Sequence, residues 1–187
     1  MMISTFCTVF KGVPKNKQPG LILKTSAAGF SVIDRENISR KIKDITDPIG
    51  ENCPPVYLVF GDLKESELNE LYNHPKVQSM VMFTKGEGYG RPLAEFCTTG
   101  KPIIVSKWSG HVDFLPEDHT VFLDGELKPI HASAQNQFLI KESRWFTVNY
   151  SIAAQRMFEV HSNYKKYLLE SKINHRIKIT NVFSLVN

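Results

Sequence analysis

The chain has 187 residues, of which 42% are hydrophobic and 22% charged, with a formal net charge of +4 at pH 7. Length and balance suit one globular domain with a substantial core and leave little room for two full ones. The basic residues are scattered, the densest short cluster being Lys165 and Lys166, so a solvated surface is expected and a nucleic-acid-binding patch is not, while phosphate ligands stay open.

Cys7, Cys53 and Cys97 are far apart, odd in number and without C-x-x-C spacing, which argues against a disulfide framework and a zinc site and fits a reducing cytosol, hence a cytoplasmic location. The N-terminus lacks a basic segment followed by an apolar run, and no stretch approaches ~18 uninterrupted apolar residues. Neither a signal peptide nor an integral membrane segment is therefore expected, and the Asn-x-Ser sequons at Asn37 and Asn149 read as chance.

In chain order, Ile3, Phe6, Cys7 and Phe10 recur at helical spacing and predict a short first helix. A Pro/Gly/Lys connection leads to the strand-like run LILKTS. Ile38, Ile42 and Ile45 predict a second helix, with Asp34 as its N-cap. The loop DPIGENCPP precedes a buried strand, Val56 to Phe60, and KESELNELYNH follows as a helix with Leu68, Leu71 and Tyr72 on one face. VQSMVMF is the next strand. Pro92 to Thr99 forms a helix with Pro in its first turn and Gly100 at its end, and PIIVS another strand. After Phe122 the pattern weakens until a long helix from about Tyr150 to Leu169 carries Ala153, Met157, Val160, Tyr164 and Leu168 along one stripe. The aromatic face Phe158, Tyr164 and Tyr167 is expected to pack in the core. Alternating strands and helices imply an α/β fold, a Rossmann-like open parallel sheet with helices on both faces.

In such sheets ligands settle outside the carboxyl ends of the strands. The stretch KGEGYGRPLAEF lies at such a place: Gly86, Gly88 and Gly90 let the backbone turn sharply behind Phe83, and the helix starts near Arg91. Its free N–H groups favour an anion, and the Arg91 guanidinium adds a charge-assisted contact or else pairs with a carboxylate. Gly100-Lys101 is followed by Pro102, which excludes a Walker loop, and Arg91 stands where the third glycine of the dinucleotide fingerprint belongs. What remains is a pair of glutamates eight positions apart, Glu87 in the loop and Glu95 in the helix. Carboxylates accept hydrogen bonds from hydroxyls, so one on each side of a bound diphosphate describes a nucleotide-sugar.

The block EGYGRPLAE (Glu87 to Glu95), followed by TGKPIIVSKWSGHVDFL (Thr99 to Leu115), resembles the donor-binding half of retaining GT-B glycosyltransferases of the group 1, family 4 type, and the likeness runs to about Tyr167. The resemblance implies a donor-binding domain over 1–170 and a C-terminal tail over 171–187, acting in transfer of a hexosyl group from a nucleoside diphosphate sugar with retention. It implies that Glu87 touches the transferred sugar, that Glu95 holds the ribose hydroxyls, and that the amides of Gly88, Tyr89 and Gly90, following Gly86, face the phosphates. Arg91, with Lys85, would offset charge on the departing diphosphate. Phe60 and Gly61 would border the nucleobase. Ser109, Gly110 and His111 form the loop that would approach the sugar from the opposite side; His111 is expected to cap or pack rather than to act as a general base, Asp113 to be structural, and Lys24 to sit at a solvated strand end rather than to meet phosphate. No metal and no cofactor beyond the sugar nucleotide is implied.

Relatives of this type carry an acceptor-binding domain and then a first, central strand of the donor domain, and this chain aligns from the helix after that strand. An acceptor-binding domain or partner chain is therefore expected, and with the strand order 3-2-1-4-5-6 the central member is absent. The alternative function is a truncated, inactive nucleotide-sugar-binding or assembly module.

Overall fold

A computed structural model describes residues 1–25, 31–118, 120–135 and 139–172. The tail beyond Lys172 and the end of the LILKTS run at Ser26 lie outside the described residues. The chain divides into two compact units, Met1–Leu71 and Tyr72–Asn187.

In the first unit, α1 (Met2–Phe10) buries Phe6, Cys7 and Phe10, the residues that its spacing places on one face. The rings of Phe6 and Phe10 sit 5.0 Å apart at 55°. β1 (Leu21–Thr25) runs parallel to β2 (Val56–Phe60), with Leu21 opposite Val56 and Thr25 opposite Phe60. Between them α2 (Val32–Thr46) buries Ile42. Its N-cap is Ser31 and not Asp34: the Ser31 hydroxyl accepts from Asp34 N at 3.1 Å and donates to Asp34 Oδ2 at 2.8 Å. Asp34 is thus the reciprocal member three residues in, and the serine before the apolar pair Val32-Ile33 makes the cap. α3 (Glu65–Asn73) follows β2.

The second unit contains a three-stranded parallel sheet in the order β3 (Met80–Met82), β4 (Ile103–Ser106), β5 (Val121–Leu123). β3 stops at Met82, one residue short of the expected Phe83. α4 (Arg91–Cys97) bridges β3 and β4, with Pro92 in its first turn, and Gly100 at φ 69° closes the turn beyond it. Leu93, Phe96 and Cys97 of α4 pack with Ile103, Val105, Phe114 and Leu115 in the core. The expected weak region after Phe122 holds an antiparallel hairpin, β6 (Gly125–Pro129) and β7 (Arg144–Val148). β6 is exposed along its whole length, so no apolar alternation announces it.

The long last helix is divided. α5 (Tyr150–Ser162), capped by the Asn149 side chain, buries Ala153, Met157 and Val160 as the stripe predicts; Asn163 leaves helical geometry at φ −116°, ψ 32°, and residues 164–172 resume it. Phe158 is 48% exposed, which removes it from the expected core face, while Tyr164 and Tyr167 are half-buried.

The chain is therefore α/β, with parallel strands flanked by helices and one antiparallel hairpin. Its parallel strands form a pair and a triplet with no ladder between them among the described residues.

Candidate functional site

β3 and β4 are parallel neighbours, Met82 facing Val105, so the loops leaving them emerge side by side from one sheet edge. The first loop holds Glu87 and the second holds Ser109 and Gly110. They are sewn together through the backbone of Glu87. The Ser109 hydroxyl accepts from Glu87 N at 3.1 Å and donates to Glu87 O at 2.6 Å, and Gly110 N donates to the same carbonyl at 3.1 Å.

The close approach sets residue identity. A Cβ at Gly110 would stand 1.9 Å from Gly88 O, so only glycine allows the second loop to lie on the first. Ser109 has φ 82° and ψ −170°, a backbone region nearly confined to glycine, and the structure holds it there through those two hydroxyl contacts. Gly90, at φ 86° and ψ 48°, is the N-cap of α4, and a Cβ there would meet His111 Cβ at 3.1 Å.

The carboxylate of Glu87 is fixed on one side. Thr84 Oγ1 donates to Glu87 Oε1 at 2.7 Å and accepts from Gly86 N at 3.3 Å, a turn that orients the acid from three residues upstream. Oε2 takes no protein donor among the described residues, and the residue is half-buried. One oxygen tethered and one available is an arrangement suited to receiving a hydroxyl.

Glu95 sits one turn into α4, with Arg91 Nε 2.6 Å from its Oε1. The pair is i,i+4 and Arg91 is 72% exposed, so the contact is worth at most ~1 kcal/mol. Burial and the charge of Glu95 together raise the pKa of Tyr72, whose ring meets Phe96 edge-on at 5.4 Å. Lys85 Nζ donates to Thr147 Oγ1 of β7 at 3.2 Å, and burial lowers its pKa. The Tyr89 ring packs on Phe114 at 4.8 Å while remaining 48% exposed.

His111 is fully buried, and its Nε2 lies 2.6 Å from Ser106 O. A carbonyl only accepts, so Nε2 carries the proton, leaving Nδ1 unpaired among the described residues, as is Ser106 Oγ. The His111 Cβ, not the ring, is the atom that lies closest to where a side chain at Gly90 would start. Asp113 ends the same short turn, Gly110–Asp113.

The second unit thus brings together Gly86, Glu87, Gly88, Tyr89, Gly90, Arg91, Glu95, Ser109, Gly110 and His111 on adjacent loops and the helix between their strands. Phe60 and Gly61 belong to the first unit, where Gly61 N donates to Thr25 O at 3.1 Å beyond the end of β2. Lys24 is likewise in the first unit, on β1. Sequence reasoning missed Thr84, whose position three residues before Glu87 is the one local signal for its turn, and missed Trp108 and Thr147. Trp108 stacks on Phe146 of β7 at 5.6 Å and 2°, so the hairpin is joined to both loops, at Lys85 and at Trp108. Among the described residues no group of His, Cys, Asp and Glu has the arrangement of a metal site. No helix among them is long and apolar enough to cross a membrane.

Neither a protein-family model nor a curated protein sequence matches the chain. Solved structures do. The C-terminal domain of the glycosyl transferase group 1 family protein LpcC from Francisella tularensis superposes with TM-score 0.63 at 12% identity, over 97% of this chain and 77% of that one. The fold is that of the C-terminal, Rossmann-like half of GT-B glycosyltransferases. HepE of Anabaena, solved in complex with UDP and glucose, gives TM-score 0.62 at 12% identity over 95% of this chain. Sucrose-phosphate synthase from Thermosynechococcus elongatus gives 0.60 at 15% identity over 97%. The chain spans about two fifths of those two proteins, 39% of HepE and 38% of the synthase.

Proposed function

We propose that the chain is the donor-binding domain of a retaining glycosyltransferase of the group 1, family 4 type, taking a nucleoside diphosphate sugar and acting with an acceptor-binding domain outside these residues. The observation that carries the proposal is the tethering of Glu87: two parallel-strand loops are joined through its backbone, and Thr84 holds one carboxylate oxygen while the other faces no protein donor among the described residues. A hydroxylated ring is the partner that such an acceptor recognises. Open parallel α/β sheets take ligands outside the carboxyl ends of their strands, and HepE was solved with UDP and glucose, both of which support the reading.

In this reading Glu87 orients the transferred sugar and Glu95 receives the ribose hydroxyls, with Arg91 swinging from its exposed ion pair toward phosphate. As the bond from the anomeric carbon to the phosphate oxygen breaks, the electron pair leaves with the nucleoside diphosphate. Loop amides, Arg91 and Lys85, whose ammonium is held by Thr147, offset that charge in a partly desolvated setting. The acceptor hydroxyl oxygen takes the vacated position on the anomeric carbon, on the same face, and its proton passes to the departing diphosphate. In this reading no metal or further cofactor takes part.

Titration with UDP-, GDP- and ADP-sugars, with NAD as control, tests the proposal. One sugar nucleotide is expected to bind, and Glu95→Ala and Glu87→Gln each to weaken it about tenfold, the equivalent of ~1.4 kcal/mol. Equal binding by wild type and both variants, or preference for NAD, refutes it. A ligand-induced rise in melting temperature with neither transfer nor hydrolysis, once an acceptor-binding domain is supplied, favours the non-enzymatic binding module instead.

A further inference from the structure

Cys7 and Cys53 are separated by 46 positions, and nothing in their spacing pairs them, yet the fold of the first unit sets their Sγ atoms 3.8 Å apart. Cys7 lies on the buried face of α1 and is fully buried, while Cys53 is half-buried in the segment between α2 and β2. Both are free thiols. A second contact holds the same two segments together: Gln18 Nε2 donates to Phe10 O at the end of α1 and to Asn52 O, each at 2.9 Å. The segment carrying Cys53 is kinked at Gly50, which leaves helical geometry at φ 68° and ψ −148° and whose carbonyl accepts from Cys53 N at 3.0 Å.

We propose that Cys7 and Cys53 form a peroxide-responsive pair that closes to an intrachain disulfide and locks α1 to the segment before β2. Covalent closure needs the sulfurs to approach by about 1.8 Å, to the ~2.05 Å of a disulfide bond. A small movement of Cys53 supplies this while Gln18 keeps α1 and the segment side by side. Cys53, the more accessible thiol, reacts first: its sulfur takes one peroxide oxygen, the O–O bond breaks, and water leaves, giving the sulfenic acid. The Cys7 sulfur then attacks the Cys53 sulfur, the S–O bond breaks, and a second water departs with the Cys7 proton. Two thiols and one hydrogen peroxide give one disulfide and two waters; both sulfurs are oxidised and the peroxide is reduced. Burial, with the Cys53 sulfur beside it, pushes the Cys7 thiol up to about 12, so Cys7 is protonated until it attacks and is itself a poor first target for peroxide. Cys97 lies in the core of the second unit and takes no part.

The test is treatment of the full chain with hydrogen peroxide, followed by intact mass, thiol counting after denaturation and peptide mapping. The expected result is loss of two hydrogens, a fall from three titratable thiols to one, a Cys7–Cys53 linked peptide, and a melting temperature raised by several degrees that dithiothreitol returns to its starting value. Cys53→Ser and Cys7→Ala are each expected to abolish the mass change and the rise, and Cys97→Ser to retain both. Because Cys7 is buried and its replacement perturbs the core, the half-buried Cys53→Ser carries the decision if Cys7→Ala unfolds. Sulfinic acid on Cys53 with Cys7 still alkylatable, or a disulfide between two chains, overturns the proposal. So does loss of the response in Cys97→Ser.

Discussion

Replacing Gly110 by alanine separates a site built by close backbone approach from one merely rich in flexible residues. The added Cβ would lie 1.9 Å from Gly88 O, 2.8 Å from Gly88 C and 3.1 Å from Glu87 O, all backbone atoms that no rotamer change moves away. The second loop must lift. Overpacking of this kind costs ~1–3 kcal/mol, and lifting strains the Gly110 N to Glu87 O bond, worth ~1 kcal/mol. A loss of ~2–4 kcal/mol corresponds to a fall in melting temperature of roughly 5–15 °C for a chain of this size. Gly88→Ala is the control: it lies in the opposing loop but has nothing within 4 Å of the added atom, and it is expected to melt within ~2 °C of wild type. Thermal denaturation by circular dichroism, with sugar-nucleotide titration of whatever remains folded, gives both readings. Gly110→Ala melting like wild type, or Gly88→Ala falling as far, would refute the account of how the loops meet.

Ser109 combines an unfavourable backbone region with two hydroxyl bonds to Glu87, so its variants should diverge. Ser109→Ala keeps the strain and loses the bonds, for a loss of ~1–2 kcal/mol; Ser109→Gly relieves strain of similar size and should be near neutral in chemical denaturation. Both should weaken the sugar nucleotide, since both release Glu87. Arg91→Ala should change stability by no more than ~0.5 kcal/mol, its ion pair being exposed, but should reduce donor affinity several-fold in calorimetry; unchanged affinity would remove Arg91 from the donor site. Burial holds His161 below its ordinary 6.5, so the unfolded chain takes up the proton first on acidification. Stability from this group is present above pH 6.5 and is lost as pH falls through that value toward the folded one. Melting curves across this range should show a drop that His161→Gln lacks, and parallel profiles would refute the assignment.

Local pattern was enough for much of this protein. The helical stripes of Phe6, Phe10, Ala153 and Met157, the short apolar strands, and the proline and glycine that bound α4 all follow from spacing along the chain, because helices and buried strands impose periods that one sequence displays. The EGYGRPLAE block marked the loop that carries the candidate site. The hairpin of β6 and β7 was hidden because one of its strands faces solvent along its whole length and carries no alternation. The helical stripe of the last segment likewise gave no warning of the break at Asn163.

Only the tertiary structure decided who meets whom. Ser109 reaches Glu87 across 22 positions because β3 and β4 are adjacent and parallel, and that adjacency rests on hydrogen bonds between strands that leave no mark in either one. The same holds for Lys85 and Thr147, 62 positions apart, and for the sulfurs of Cys7 and Cys53. Sequence set the elements and the chemistry each can offer; packing chose the pairs, since the free energy of a contact depends on distance through space and not on position along the chain.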